Sequence, residues 1–138
     1  MQDLNLGYNR LRGNIPSTVA NLRHIVQSFS MPRNLLEGNI PVKIGCMMLV
    51  TNIDLASNLL SGQIFASLGS YVEILHFNLS DNRLEGEVPL WFRSTITLTD
   101  LDLSNNQLSG SIPPYLGHMG ILHPQHGNFP LTLHFHFF

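Results

Sequence analysis

One short segment, N-x-L-x-G-x-I-P, recurs five times along this chain. It reads NRLRGNIP from Asn9, NLLEGNIP from Asn34, NLLSGQIF from Asn58, NRLEGEVP from Asn82 and NQLSGSIP from Asn106, with steps of 25, 24, 24 and 24 residues. A near-fixed period in this range restricts the chain to repeat architectures, because a unit so short cannot bury its apolar face alone and must stack on its neighbours. The chain is therefore expected to form a solenoid of about five coils.

Apolar residues at fixed offsets before each asparagine supply the core of each coil. They are Leu4 and Leu6; Val26, Phe29 and Met31; Val50, Ile53 and Leu55; Ile74, Phe77 and Leu79; and Leu98, Leu101 and Leu103. Period-two alternation around each inward pair predicts short parallel strands at 3–6, 28–31, 52–55, 76–79 and 100–103. Asn9, Asn34, Asn58, Asn82 and Asn106 then fall at the corner after each strand. A buried amide there can both donate to and accept from backbone groups that have left the ladder, so the five asparagines should form a structural ladder. Four residues later, Gly13, Gly38, Gly62, Gly86 and Gly110 mark a bend or a close approach that excludes a Cβ. The prolines at 16, 41, 89 and 113 suit a tight turn or the start of a short helical segment, and Phe65 in that slot predicts a softer corner.

The full pattern, L-x-x-L-x-L-x-x-N-x-L-x-G-x-I-P, resembles the plant-specific extracellular leucine-rich repeats of receptor-like kinases, receptor-like proteins and polygalacturonase-inhibiting proteins. The resemblance covers residues 1–122 and leaves 123–138 as an off-pattern tail. It implies an α/β leucine-rich-repeat solenoid: a right-handed coil with a short-stranded parallel sheet on the concave face and an irregular or 3-10 helical convex side. It also implies a non-catalytic recognition module, part of a receptor ectodomain that binds a protein or peptide ligand or a co-receptor at the cell surface. Two alternatives stay open, an extracellular enzyme inhibitor similar to the polygalacturonase-inhibiting proteins and a truncated remnant without function. Signal-peptide and membrane-span patterns are both missing from the sequence, so the extracellular or cell-surface location follows from the resemblance only.

Charge and motifs narrow the chemistry. Charged residues are 12% of the chain and the net charge is -2, against about 25% charged in an average domain. That leaves no electrostatic footprint for nucleic acid. The phosphate-loop, metalloprotease and hydrolase-elbow motifs are all missing, so no catalytic residue, cofactor or metal site is expected. Asp54 and Asp102 occupy one slot two repeats apart and read as surface carboxylates.

Function, if present, is expected on the outward strand positions. Asp3, Ser28, Asn52, His76 and Asp100 form one column, and Asn5, Ser30, Asp54, Asn78 and Asp102 the next. Within them Asn52, Asp54, His76, Asp100 and Asp102 are the candidate ligand-facing surface. A third column at the strand ends reads Tyr8, Arg33, Ser57, Asp81 and Asn105. Asn78-Leu79-Ser80 is an N-glycosylation triplet; otherwise replacing Asn78 should only trim a surface. Cys46, the sole cysteine, is expected as a half-buried free thiol on a turn.

Two places break the pattern. The 25-residue step puts an extra residue in HIVQSF, which predicts a bulged or shifted strand, with Pro32 removing a ladder donor. The tail HPQHGNFPLTLHFHFF, compositionally foreign to the repeat, reads either as a truncation artefact that cuts the repeat mid-coil or, in LTLHFHF, as an irregular capping strand. His123, His126, His134 and His136 match no closed metal-site spacing.

Overall fold

The computed structural model describes residues 2–22, 24, 27–66, 68, 74–90, 97–110, 114 and 132–134. Among the described residues, eleven strands, β1 (Asp3–Asn5), β2 (Arg12–Asn14), β3 (Ser28–Ser30), β4 (Leu35–Asn39), β5 (Asn52–Asp54), β6 (Leu59–Gln63), β7 (His76–Asn78), β8 (Arg83–Gly86), β9 (Asp100–Asp102), β10 (Gln107–Leu108) and β11 (Thr132–His134), alternate between two parallel sheets. The odd-numbered strands form a six-stranded sheet in the order β1-β3-β5-β7-β9-β11, and the even-numbered ones a five-stranded sheet in the order β10-β8-β6-β4-β2. Each of the five repeats thus contributes one strand to each sheet, with β11 added to the first, which is the layout of a leucine-rich-repeat solenoid.

In the six-stranded sheet the inward residues line up coil by coil, Leu4 beside Phe29, Phe29 beside Ile53, Ile53 beside Phe77 and Phe77 beside Leu101. Phe29, Ile53, Phe77 and Leu101 are buried and join Leu55, Leu60, Leu79, Leu84 and Leu103 in one continuous core. The strands stop one residue short of the expected bounds, yet the hydrogen-bond ladder runs on. The Met31, Leu55 and Leu79 N–H groups still donate to the Asp54, Asn78 and Asp102 carbonyls at 2.8–2.9 Å. The expected core residue Val26 lies outside the described residues.

The five-stranded sheet was not anticipated from the sequence, where its segments read only as corners. Four of its five strands carry a glycine at positive φ, and its outward residues include Leu35 and Leu59 beside Arg, Glu and Gln, so the alternation that betrays a strand is missing. Gly38 pairs with Leu60 and Gly62 with Leu84, a stagger of two residues per coil relative to the repeat. At Gly62 (φ +76) a Cβ would meet the Asn39 amide oxygen at 2.3 Å, whereas at Gly13 (φ +81) it would meet nothing. Backbone conformation, shared by both, is the constraint common to the column.

The return side is built from 3-10 helix at Ser17–Leu22 and Val42–Cys46, as expected. Each begins after a proline whose carbonyl accepts the first turn bond, from Val19 N–H to Pro16 at 3.0 Å and from Ile44 N–H to Pro41 at 2.9 Å. Phe65 makes the same bond, from Leu68 N–H, at 3.2 Å, so the corner without proline still closes. Cys46 is exposed rather than half-buried. The three-residue period of this helix turns Ile44 and Met47 into the core and leaves position 46 facing out.

The extra residue of the second repeat does not disturb β3, which pairs with β1 and β5 in unbroken register. β3 itself carries no bulge, and Ile25 and Val26, on which the rest of the expected distortion falls, lie outside the described residues. Pro32 removes no ladder donor either. In the equivalent slot the N–H groups of Gly7, Ala56, Ser80 and Ser104 bond their own coil's side-chain oxygen on Asn5, Asp54, Asn78 and Asp102. The second coil has Ser30 in place of that Asx residue and a proline in place of the donor, so the local exchange is self-consistent. In the tail, Thr132–His134 pairs in parallel with Asp100–Asp102 and supplies the sixth strand, which favours the strand reading for those residues. His123, His126 and His136 lie outside the described residues.

Candidate functional site

Four asparagines hold the coils together. Asn82 is buried; its Nδ2 donates to the Leu55 carbonyl of the preceding coil at 3.0 Å and to the Leu79 and Ser80 carbonyls of its own coil at 3.1 Å. Its Oδ1 accepts from Leu60 N–H at 3.0 Å. With two hydrogens and three acceptors, one hydrogen is shared, a three-centre arrangement common where a regular ladder ends. Asn34, Asn58 and Asn106 repeat the same set, including the bond across to the preceding coil. Asn9 is exposed and, among the described residues, bonds only the Leu6 and Gly7 carbonyls of its own coil. The ladder fixes the spacing of the strands, and through them the spacing of the outward columns.

The strand-end column has a feature the sequence reading missed. Tyr8, Arg33, Ser57, Asp81 and Asn105 all adopt φ of 53–58°, a conformation that costs a non-glycine residue about 1–2 kcal/mol. Cross-coil bonds hold them there, because the N–H groups of Tyr8, Arg33, Ser57 and Asp81 donate to carbonyls of the next coil at 2.8–3.0 Å. The available signal was the presence of Asp and Asn, which tolerate this conformation, in two of the five slots. The side chains then link along the column. Arg33 lies over the Tyr8 ring at 5.3 Å, and Asp81 accepts from Ser57 Oγ at 3.3 Å and from Asn105 Nδ2 at 2.8 Å.

The proposed ligand-facing residues do converge. Asn52, Asp54, His76, Asp100 and Asp102, with Asn78, Phe77 and Leu101, line a cavity of about 330 Å³ across β5, β7 and β9. His76 Nδ1 lies 2.5 Å from Asp100 Oδ2, both side chains half exposed, and Thr99 Oγ1 donates to the same oxygen at 3.1 Å. Such an exposed pair orders the two side chains and adds about 0–1 kcal/mol of stability. Asn52 donates to Ser28 Oγ at 3.1 Å.

Asp54, Asn78 and Asp102 are more than surface groups. Each is partly buried, and its Oδ1 closes a local turn by accepting from the N–H two residues on, at 3.0–3.1 Å. Ser80 and Ser104 add their hydroxyls to the Asn78 and Asp102 oxygens at 2.8 and 2.7 Å. This corrects the expectation that Asn78 only covers a surface. Burial pushes the Asp54 carboxyl above the usual carboxylate range; the Ala56 N–H bond opposes that, and the charge of Asp102 adds to it. The second oxygens of Asp54 and Asp102 accept no hydrogen bond from a described residue, and both residues line the cavity. Among the described residues, no group of three His, Cys, Asp or Glu side chains could hold a metal ion, and no helix is long and apolar enough to cross a membrane.

Comparison with known proteins agrees with this geometry. The family model of the leucine rich repeat matches residues 1–22, 73–95 and 97–119. An LRR receptor-like serine/threonine-protein kinase of Arabidopsis thaliana, EFR, is 36% identical over 55 residues, which are 40% of this chain and 5% of that protein. The solved structure of the plant peptide hormone receptor RGFR1 in complex with RGF2 superposes with a TM-score of 0.85 at 29% identity, over 99% of this chain and 20% of that one. A plant ice-binding protein superposes with a TM-score of 0.81 at 26% identity, over 97% of this chain and 42% of that one. The chain therefore spans a small part of these receptors, and the same coil supports unlike functions.

Proposed function

As a leucine-rich-repeat solenoid similar to plant receptor ectodomains, this chain is, we propose, a non-catalytic recognition module that binds a peptide or protein ligand on its concave sheet, at the cell surface. One observation carries the reading: the cavity across β5, β7 and β9 gathers Asp54, Asp100 and Asp102 with His76 and two amides, on strands whose spacing the asparagine ladder sets. Fold alone does not choose between receptor and ice-binding roles. A cavity lined by three carboxylates selects a ligand with a cationic group, because the unused carboxylate oxygens of Asp54 and Asp102 accept charge-assisted bonds. The full length of the parent protein, and any kinase it carries, belong to the same proposal. So does glycosylation of Asn78: a glycan there would occupy the cavity wall and move ligand contacts to neighbouring coils.

The test is a peptide-library selection against the chain and against a variant carrying Asp54→Asn, Asp100→Asn and Asp102→Asn. Asparagine keeps each Oδ1 as an acceptor, so the local turns survive while the charge is removed. Selected lysine- or arginine-containing peptides should bind the variant at least about tenfold more weakly, a loss of about 1.4 kcal/mol. A Glu85→Gln change on the other sheet should leave binding unchanged. Equal binding by wild type and triple variant would remove the concave cavity from the reading.

A further inference from the structure

The concave carboxylates leave unexplained a second cleft, of opposite charge, on the first two coils. Arg10, Arg12 and Arg33, three of the chain's seven basic residues, line a cavity of about 570 Å³ together with Asn9, Ser57 and Leu35, and no acidic residue lines it. We propose that this cleft is an anion-binding site that takes a carboxylate-rich segment of a peptide or protein.

Four observations carry it. First, all three guanidinium groups belong to exposed residues, and among the described residues no arginine or lysine makes an ion pair with a carboxylate. Three like charges brought to one cleft repel one another until an anion arrives. Second, the nearby carboxylates stay outside the lining: Glu37 is exposed on β4, two residues beyond Leu35, and Asp81, beyond Ser57, already accepts from Ser57 and Asn105.

Third, Arg33 is held in place before any ligand comes. Its backbone sits at φ 53°, its N–H donates to the Ala56 carbonyl at 2.9 Å, and its guanidinium rests over the Tyr8 ring. A guanidinium fixed on an aromatic face keeps its N–H edge free for a bidentate carboxylate, and less side-chain freedom is lost when one binds. Fourth, the open cleft spans three coils, from Asn9, Arg10 and Arg12 through Arg33 and Leu35 to Ser57, a longer surface than a lone inorganic anion covers. A peptide is chosen over an acidic polysaccharide because Tyr8 and Arg33 lie three residues beyond the ends of β1 and β3, so the cleft adjoins the concave sheet. That choice of polymer rests on the reading under Proposed function; the anion site itself does not.

The experiment titrates the full chain with a fluorescent hexaglutamate peptide at low salt, in parallel with the double variant Arg10→Gln/Arg12→Gln and a single variant Arg83→Gln on β8. Hexaglutamate should bind the wild type with a Kd below 1 mM, at least tenfold more weakly to the double variant, and within twofold of wild type to Arg83→Gln. The triple Asp→Asn variant of the concave cavity should keep full hexaglutamate binding, so loss of the concave reading would leave this result standing. Failure of the wild type to bind at millimolar peptide, or an equal loss in Arg83→Gln, would overturn the site. Inorganic sulfate displacing the peptide at the same anion-group concentration would overturn its assignment to a polymer. A uronic-acid oligosaccharide of equal charge binding more tightly than hexaglutamate would overturn the choice of peptide.

Discussion

Replacing Asn82 by alanine removes four hydrogen bonds, but the loss is smaller than four bonds suggest. The Leu55 carbonyl keeps Asn58 Nδ2, the Leu79 carbonyl keeps Asn106 Nδ2, and the Ser80 carbonyl keeps the Ser57 N–H. Only the Leu60 N–H, on a residue with no exposed surface, is left without its acceptor. One buried donor left unpaired costs about 1–3 kcal/mol, and for a chain of this size that is a fall in Tm of roughly 3–10 °C. Asn9→Ala is the internal control. The same motif position there is exposed, and its Oδ1 receives no bond from a described residue, so the cost should stay within about 0.5 kcal/mol. Thermal melts of the two variants followed by circular dichroism compare them directly. Equal shifts would refute the argument that burial and cross-coil bonding, rather than the motif itself, make the ladder stabilising.

Other positions extend the reasoning. Asn78→Ala should lower stability by about 1 kcal/mol, because Ser80 N–H and Oγ both lose their acceptor; a variant as stable as wild type in urea unfolding would refute the turn role of this side chain. Gly13→Ala and Gly62→Ala should cost similar amounts, about 1–2 kcal/mol each, because positive φ is common to both and Asn39, which Gly62 alone would crowd, is exposed and can swing away. A loss confined to Gly62→Ala would place the constraint in the clash instead. Asp54→Asn should raise stability at pH 7 and leave it unchanged below pH 3.8. The folded-state pKa of Asp54 is raised from 3.8, so its ionisation destabilises the fold as pH rises through that value, and asparagine keeps the turn bond without the charge. Melting curves across pH 3–7 read the effect, and a gain that persists at pH 3 would contradict the charge explanation.

The solenoid was readable because its period constrains every coil at once: the leucine offsets, the asparagine corner and the proline turns all repeat, so local and global signals agree. The second sheet was not readable, because its strands mix a positive-φ glycine with outward Arg, Glu and Gln and show no alternation. Pro32 read as the loss of a ladder donor until the Asx turns of the other coils showed which bond it and Ser30 replace. The concave column was found by alternation, but the partition of its oxygens was not, since a turn bond to the residue two positions on leaves no periodic mark. The arginine cleft stayed hidden for a different reason. Arg10, Arg12 and Arg33 occupy different slots of two repeats, and only the coil brings them together.

The recognition proposal is tested most directly by amide chemical-shift mapping of the labelled chain as a selected peptide is titrated in. Shifts should concentrate at Asn52–Asp54, His76–Asn78 and Asp100–Asp102, the strands that line the concave cavity, with Leu59–Gln63 and Arg83–Gly86 on the other sheet unmoved. Shifts centred on the second sheet, with the concave strands silent, would contradict it.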